Sequence, residues 1–152
     1  MSSRRALIRS GVGLVAAGPL LLLSRPASAT PVMLQVAIAA FTGGAAVSPG
    51  RVKLQIAELV ENGNAVPVTV SVDSPMSTAD HVKRIGLFNE RNPQADVAVF
   101  ELSAANGRAE IGTRIRLATS QTVVAIAEMS DGSFWQHRVD VIVTLAACIE
   151  GG

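Results

Sequence analysis

The sequence predicts an all-β fold, an antiparallel β-sandwich built as a single domain. Three observations predict it. Apolar and polar residues alternate along much of residues 30–145, turn-forming residues separate these segments, and 49% of the 152 residues are hydrophobic while 16% are charged. Alternation with a period of two is the spacing of a strand that buries one face. The high apolar content excludes a disordered chain, and the length corresponds to one domain.

Seven segments carry the strand pattern. The clearest is residues 66–72, where four valines alternate with proline, threonine and serine. The other predicted strands are residues 52–56, 81–88, 97–102, 109–117, 122–129 and 134–145. The Ala-rich residues 33–41 predict a short helix ahead of the first strand. This number of short strands is typical of an immunoglobulin-like sandwich.

Turn signals lie between the predicted strands, among them Asn62-Gly63 and Asp131-Gly132. Asn-Gly and Asp-Gly tolerate the positive φ angles of tight hairpins. The chain contains one cysteine, so the sandwich has to fold without an internal disulfide bond. We expect a flexible tail after the last strand, because small residues and glycines at a chain end are usually mobile.

The first 29 residues have the three parts of an export signal. Arg4, Arg5 and Arg9 give a positive start, an apolar stretch covers residues 11–23, and small residues lead up to Ala29. The paired arginines favour the twin-arginine type of signal and export to the bacterial periplasm, with cleavage after Ala29. The apolar stretch is about 13 residues, shorter than the roughly 20 that cross a bilayer, so we expect no stable membrane anchor.

The charge balance argues against a nucleic-acid partner. Of 13 lysines and arginines, Arg4, Arg5, Arg9 and Arg25 precede residue 30, which leaves 9 basic and 12 acidic residues and a net charge of −3. Only 3% of the residues are aromatic. An acidic domain with few aromatic residues lacks the basic patch and the stacking platform that bind nucleic acid.

The motifs of catalysis and metal binding are absent from the sequence. His81 and His137, the two histidines, lie in separate predicted strands with no second ligand at metal spacing, so we expect structural or surface roles and no metal. Glu58 and Glu61 flank a turn and are expected to be solvated. No nucleophile elbow, phosphate loop or zinc-protease helix occurs. We predict a protein without catalytic activity and without a cofactor.

Cys148 is the residue that calls for a functional explanation, since an unpaired cysteine is unusual in an oxidising compartment. A small buried hydrophobe is the ordinary role of a free cysteine. The position favours an accessible thiol instead, because Cys148 lies beyond the last predicted strand. The predicted arm, residues 146–152, consists of Ala146, Ala147, Cys148, Ile149, Glu150, Gly151 and Gly152. Such an arm could carry a thiol into the cleft of another protein.

Several segments of the sequence resemble the SoxY family, the sulfur-carrier subunits of the periplasmic thiosulfate-oxidising complex of bacteria. The most specific is Glu-Asn-Gly-Asn-Ala-Val-Pro-Val at residues 61–68, followed by Val-Asp-Ser-Pro-Met at residues 72–76. Supporting segments are residues 80–85, 92–94, 113–118 and 127–133. Together they cover most of the chain from about Phe41 onward.

The resemblance implies a carrier that binds thiosulfate-derived sulfur covalently on Cys148 and is itself no enzyme. It implies pairing with a second small sandwich subunit, SoxZ, in a heterodimer. It also implies a haem-containing enzyme that loads the thiol, a hydrolase that releases sulfate and, in many bacteria, a molybdenum enzyme that oxidises the remaining sulfane sulfur.

The arm departs from the family pattern, which typically reads Gly-Gly-Cys-Gly-Gly. Here Ala147 precedes Cys148, and Ile149 and Glu150 follow it. A β-branched side chain and a carboxylate beside the thiol restrict passage through a narrow channel and repel an anionic cargo. The alternative is therefore a divergent SoxY-like assembly module that pairs with a SoxZ-like subunit without carrying sulfur.

Three further residues have an ordinary and a functional interpretation. Trp135 is expected to pack in or against the sandwich, and the alternative is a place in a partner interface. Arg114 and Arg116 alternate along one predicted strand and are expected to be solvated charges. Their alternative role is to steer anionic partners.

Overall fold

The computed structural model describes residues 31–145. The predicted export signal lies outside the described residues, as do the predicted arm and its expected flexibility. Within them, one α-helix, α1, covers Pro31–Thr42. The strands are β1 Val47–Pro49, β2 Val52–Gln55, β3 Leu59–Val60, β4 Val66–Val72, β5 Val82–Asn89, β6 Asp96–Glu101, β7 Glu110–Ile115, β8 Gln121–Met129 and β9 Phe134–Val143. A short 3-10 helix, Ala104–Asn106, lies between β6 and β7.

The strands form two facing sheets. The larger has the order β1-β9-β8-β5-β6, with β3 also paired to β9, and the smaller has the order β2-β4-β7. All pairs of long strands are antiparallel. The short strands β1 and β3 both pair in parallel with β9, near its start and near its end. The predicted sandwich is confirmed, and parallel pairing occurs only at these two short strands of the described chain.

The main core lies between the two sheets. Val66, Val68, Val70 and Val72 of β4 are at most 7% exposed, as the alternating pattern predicts. They face a layer from the larger sheet that includes Ile85. Each aliphatic side chain buried in this way contributes about 1.5–3 kcal/mol.

A second, smaller core lies between the larger sheet and α1. Leu34, Ile38 and Phe41 follow the spacing of one helix face and are buried. They pack against the outer face of the sheet, chiefly on Phe88 and Phe134. The strand β8 is therefore covered on both faces, which explains why it is nearly continuously buried.

The helix has recognisable ends. Pro31 occupies its first position, where the missing N–H costs nothing. Gly43 and Gly44 follow its end with φ angles of 65° and 83°, and the Gly44 N–H returns to the Ala39 carbonyl. This is the left-handed cap that glycine favours. No helix among residues 31–145 is long and apolar enough to cross a membrane.

The predicted elements agree with the observed ones within a few residues. The helix and all seven predicted strands are present, and the last strand ends at Val143 instead of residue 145. Arg116 lies beyond the end of β7, so it does not share that strand with Arg114. The sequence analysis missed β1 and β3, which have only three and two residues.

Candidate functional site at the root of the arm

The C-terminal arm leaves the sandwich at one end, which we call the arm pole. The strand β9 ends here at Val143, beside the start of β8. The register places the end of β5 and the start of β4 at the same pole. The loops 61–65, 90–95 and 116–120 therefore surround residues 144–145, which we call the arm root.

A backbone clamp holds the arm root to the segment that follows β2. Four hydrogen bonds form it: Ile142 N–H to Glu58 O (2.7 Å), Thr144 N–H to Val60 O (3.0 Å), Leu145 N–H to Glu61 O (3.1 Å) and Gly63 N–H to Leu145 O (2.9 Å). They extend the parallel pairing of β3 with β9 by two residues. Leu145, the last described residue, is therefore held in position at the arm root.

The turn at residues 62–64 links the clamp to the smaller sheet. The Asn62 side-chain oxygen accepts the Asn64 N–H at 2.9 Å, which is an Asx turn. Gly63 is buried, and its carbonyl accepts the Leu117 N–H at 2.8 Å while its own N–H binds Leu145. The Asn-Gly-Asn segment thus connects the arm root to both sheets.

A network of side-chain amides fixes the neighbouring loops. The Asn92 oxygen accepts the Ala118 N–H at 3.0 Å and the Gln121 amide at 2.8 Å, and the Asn92 amide donates to the Arg116 carbonyl at 2.7 Å. The Gln121 oxygen accepts the Arg91 N–H at 2.9 Å. Gln121 is only 5% exposed, and bonded buried amides of this kind stabilise one loop arrangement.

Cys148 and the other predicted arm residues lie outside the described residues. Chain geometry nevertheless limits the position of the thiol, because Cys148 follows Leu145 by three residues. A fully extended chain spans at most about 3.3–3.6 Å per residue, so the backbone of Cys148 lies within roughly 11 Å of Leu145. Among the described residues, those of the arm root are the closest to Cys148 along the sequence.

The structure separates the two histidines. The ring Nδ1 of His137 accepts the Leu54 N–H at 2.9 Å, which ties β9 to β2. The ring Nδ1 of His81 lies 3.0 Å from the Ser77 carbonyl. Both contacts tie neighbouring segments of the sandwich together. Among residues 31–145, no three His, Cys, Asp or Glu side chains are grouped to hold a metal ion.

The far pole, at the opposite end of the sandwich, contains most of the remaining family-like segments. Ser130 donates its N–H to His81 O at 2.8 Å and accepts the His81 N–H on its hydroxyl at 3.1 Å. Arg51 pairs with Asp80 at 3.3 Å and donates to the Asp73 carbonyl. The Ser130 contacts join His81 to the β8–β9 turn, and the Arg51 contacts join residues 73 and 80 to the residue before β2. This end of the family-like sequence therefore has a structural role.

Trp135 packs against the sandwich, as the sequence analysis expected. Its Nε1 donates to the Ser133 hydroxyl at 3.0 Å, a Cβ at Gly50 would lie 3.6 Å from its ring, and the Arg51 guanidinium lies 5.9 Å from the ring centre. The Ser133 hydroxyl and N–H also bind Asp131, and they hold the pKa of that carboxyl below its ordinary value. Trp135, near the start of β9, therefore packs against the turn at the far pole.

Arg114 and Arg116 are both exposed at the arm-pole side of the smaller sheet. Neither forms an ion pair with another described residue. Glu58 and Glu61 are also exposed, as predicted. Sequence reasoning missed that the backbone carbonyls of these two glutamates hold the arm root. The signal that could have revealed it is the turn-forming Asn62-Gly63-Asn64, which lies in the most family-like segment.

The fold and the fixed arm root define a class of protein: a two-sheet sandwich whose last described residue, at one pole, precedes a cysteine by three positions. The family model described as "Sulfur oxidation protein SoxY" matches residues 38–148. The chain belongs to the SoxY family. The match extends to Cys148, beyond the last described residue.

Solved structures give the same assignment of fold. The sulfur carrier protein SoxY from Chlorobium limicola f thiosulfatophilum is 27% identical, with a TM-score of 0.64 over 75% of this chain and 98% of that one. A superoxide reductase (neelaredoxin) from Ignicoccus hospitalis is 18% identical, with a TM-score of 0.56 over 63% of this chain and 82% of that one. At this identity the second likeness shows the fold alone. No curated protein sequence matches the chain.

Proposed function

We propose that this protein is a periplasmic sulfur carrier of thiosulfate oxidation, with Cys148 as its covalent attachment site. The observation that carries the proposal is the SoxY family match, which runs through Cys148. The likeness to a solved sulfur carrier protein supports it. The chain has no other cysteine, so a covalent thiol carrier of this sequence has one possible attachment residue.

The chemistry of loading assigns the redox work to partner proteins. The Cys148 thiolate and the terminal sulfur of thiosulfate form a new S–S bond, and two electrons leave to a haem-containing enzyme. Hydrolysis of the terminal S–SO₃ bond then adds water, releases sulfate and leaves a persulfide on Cys148. A molybdenum enzyme would oxidise that remaining sulfur. The carrier supplies only the thiol, and it needs no cofactor of its own.

The geometry of the arm pole suits this division of labour. The clamp from Glu58 to Gly63 fixes the arm up to Leu145, while Cys148 follows three residues later. A short tether on a fixed root keeps the cargo close to one surface and limits the volume that a partner has to search. A SoxZ-like subunit is the proposed partner in a heterodimer.

A second candidate function has a specific observation in its favour. Ile149 and Glu150 stand where the family arm typically has glycine. An arm that the loading enzymes do not accept would leave a SoxY-like assembly module, which pairs with a SoxZ-like subunit without carrying sulfur. Cys148 would then form at most an intermolecular disulfide bond.

Intact-mass spectrometry separates the two candidates. The protein is purified without reductant from cells that are oxidising thiosulfate and is measured before and after reduction. The carrier shows a reducible adduct of about 112 Da for a bound thiosulfate group, or about 32 Da for each added sulfur atom. A free thiol, or only a disulfide-linked dimer, would establish the assembly module instead.

Cys148→Ser is the matched variant for this experiment. We expect it to abolish the adduct completely, because serine cannot form the S–S bond, and to leave folding and SoxZ-like pairing unchanged. The adduct is measured by intact mass, and pairing by co-purification. An adduct of wild-type mass on Cys148→Ser would contradict the assignment of Cys148 as the attachment site, because the sulfur would then be bound to another residue.

A further inference from the structure

Three large aliphatic side chains are exposed around the arm root, and we call them the root patch. Leu59 is 62% exposed, Ile142 is 60% exposed and Leu145 is 62% exposed. Leu59 and Ile142 are direct partners in the pairing of β3 with β9, so their side chains lie side by side on the same face. Leu145 follows Ile142 by three residues and is the last described residue of the arm root.

The clamp itself does not require these side chains. Its hydrogen bonds join backbone atoms, among them Ile142 N–H to Glu58 O and Leu145 N–H to Glu61 O. Small polar residues could make the same bonds. Single exposed aliphatic residues are common on protein surfaces, but adjacent ones mark contact surfaces more often. Leu59 and Ile142 are such an adjacent pair.

The small number of residues between Leu145 and Cys148 indicates which kind of partner covers this surface. Cys148 follows Leu145 by three residues, so its backbone stays within roughly 11 Å of Leu145. An enzyme whose reacting atoms are enclosed in a channel has to bring the mouth of that channel at least this close to Leu145. The mouth of the channel then covers the surface that contains the root patch.

The charges around the root patch indicate which charge the rim of the partner's channel mouth carries. Glu58, Glu61 and Asp140 are exposed carboxylates next to the patch, and none forms an ion pair with another residue in the described range. Arg138 is an exposed cation in the same groove as Glu58 and Asp140, so three carboxylates stand against one guanidinium near the patch. Asp140 lies on the outer face of β9 with Ile142, two positions away, and accepts the Thr122 hydroxyl at 2.7 Å. A rim with a negative net charge favours a partner rim of positive net charge.

We propose that the root patch is the docking surface for the enzymes that act on the Cys148 cargo. The matching surface is a channel mouth with an apolar rim and basic side chains outside it. This inference rests on the proposed carrier function and adds the part of the folded body that its partner enzymes recognise.

The test compares substitutions at two separate exposed aliphatic positions of the same sheet. The first variant is the double substitution Leu59→Thr and Ile142→Thr, which keeps a β-branched residue in β9 and removes most of the apolar area. The control is Val99→Thr on the outer face of β6, where Val99 is 50% exposed at the opposite edge of the same sheet. The probe is the purified haem-containing enzyme that couples thiosulfate to the carrier.

The readouts are the KM and kcat of loading, with the carrier as the varied substrate. We expect the double variant to raise the KM about tenfold or more at nearly unchanged kcat, because docking is weakened while the arm and thiol stay intact. The Val99→Thr control should keep the wild-type KM. Raising the ionic strength should also raise the wild-type KM, since it screens the acidic rim.

Two controls keep the outcomes distinct. The rate at which a small maleimide labels Cys148 should be equal in all variants, and each single substitution replaces the double variant if that one fails to fold. A double variant with the wild-type KM, or a control that raises the KM equally, overturns the docking surface while the carrier function stands. A wild-type protein that the enzyme does not load overturns both.

Discussion

At the scale of single residues, individual side chains in the family-like segments have identifiable structural roles. Met76 ends the Val-Asp-Ser-Pro-Met segment with a φ of 49°, which is uncommon for a side-chain-bearing residue. The conformation is held from several sides. Met76 is 5% exposed, its N–H donates to the Ser74 hydroxyl at 3.1 Å, and its sulfur accepts the Val82 N–H at 3.4 Å. The segment therefore encodes a specific turn at the far pole.

The Asx turn at Asn62 makes a testable contribution to the arm root. We expect Asn62→Ala to cost about 0.5–1.5 kcal/mol, because the Asn64 N–H loses its acceptor. The loss should appear locally, as faster hydrogen exchange at the Leu145 and Gly63 amides. Exchange is measured by NMR or mass spectrometry on the intact protein.

Asn106→Ala is the matched control for that prediction. Asn106 is also exposed, and its side-chain oxygen accepts the Ser103 N–H at 2.7 Å in a different loop. It should lose similar stability without changing exchange at Leu145. Equal exchange at Leu145 in both variants would contradict a clamp that depends on the Asn62 turn.

At the scale of elements, the packing of α1 on the larger sheet depends on a glycine, which has no side chain. Gly86 lies on the outer face of β5 beneath two aromatic rings. A Cβ built there would lie 2.7 Å from Phe88 and 3.1 Å from Phe41. Phe41 also meets Phe88 edge-on, with ring centres 5.4 Å apart. Because these rings are buried, neither can move away freely.

Arg84 holds the end of α1 over β5, beside Gly86. Arg84 donates to the Phe41 carbonyl at 3.0 Å, its guanidinium lies 4.4 Å from the Phe41 ring centre, and it pairs with Glu128. Lys83 is a weaker second partner of Glu128, at 3.8 Å. The helix is thus anchored by packing at Gly86 and by one arginine beside it.

We predict that Gly86→Ala destabilises the protein by about 1–3 kcal/mol, the usual cost of forcing a methyl group into a packed core. The measurement is the urea midpoint at constant m-value. Gly112→Ala in β7 is the matched control, because a Cβ there meets no atom within 4 Å. It should be neutral or stabilising by up to about 1 kcal/mol. Equal destabilisation in both variants would contradict the packing argument.

The sequence predicts elements well where periodicity is long enough to read. The four valines of β4 predict a strand because seven residues cover several periods, and β8 is recognisable as a long run of nine mostly apolar residues. The strands β1 and β3 are invisible to that reasoning, since three and two residues carry no period. They exist because β9, far along the chain, offers them hydrogen-bond partners.

At the scale of the whole molecule, the fold stands without covalent cross-links. The chain has one cysteine, so its two packed cores supply the stability. We predict that a thiol reductant changes the thermal midpoint of the isolated chain by less than about 1 °C. Circular dichroism with and without reductant measures this, with Cys148→Ser as the control. A drop of several degrees that Cys148→Ser lacks would show that a bond through Cys148 stabilises the fold.

The sequence identifies the cysteine of the proposed site but not its surroundings. Cys148 is conspicuous because it is alone. The arm root depends on tertiary hydrogen bonds between Glu58–Gly63 and β9, more than eighty positions apart, and no local pattern encodes such a pairing. The amide network of Asn92 and Gln121 is hidden for the same reason.

The position of β9 has a consequence for the order in which the molecule matures. This strand pairs with β1, β3 and β8, and its register with β1 joins Val47 to Phe134. Contacts this distant form late, after the loop between them has closed. A half-folded chain would already carry the thiol but would lack the arm root and the root patch around it. A partner enzyme that requires both would thus discriminate finished carriers from immature ones.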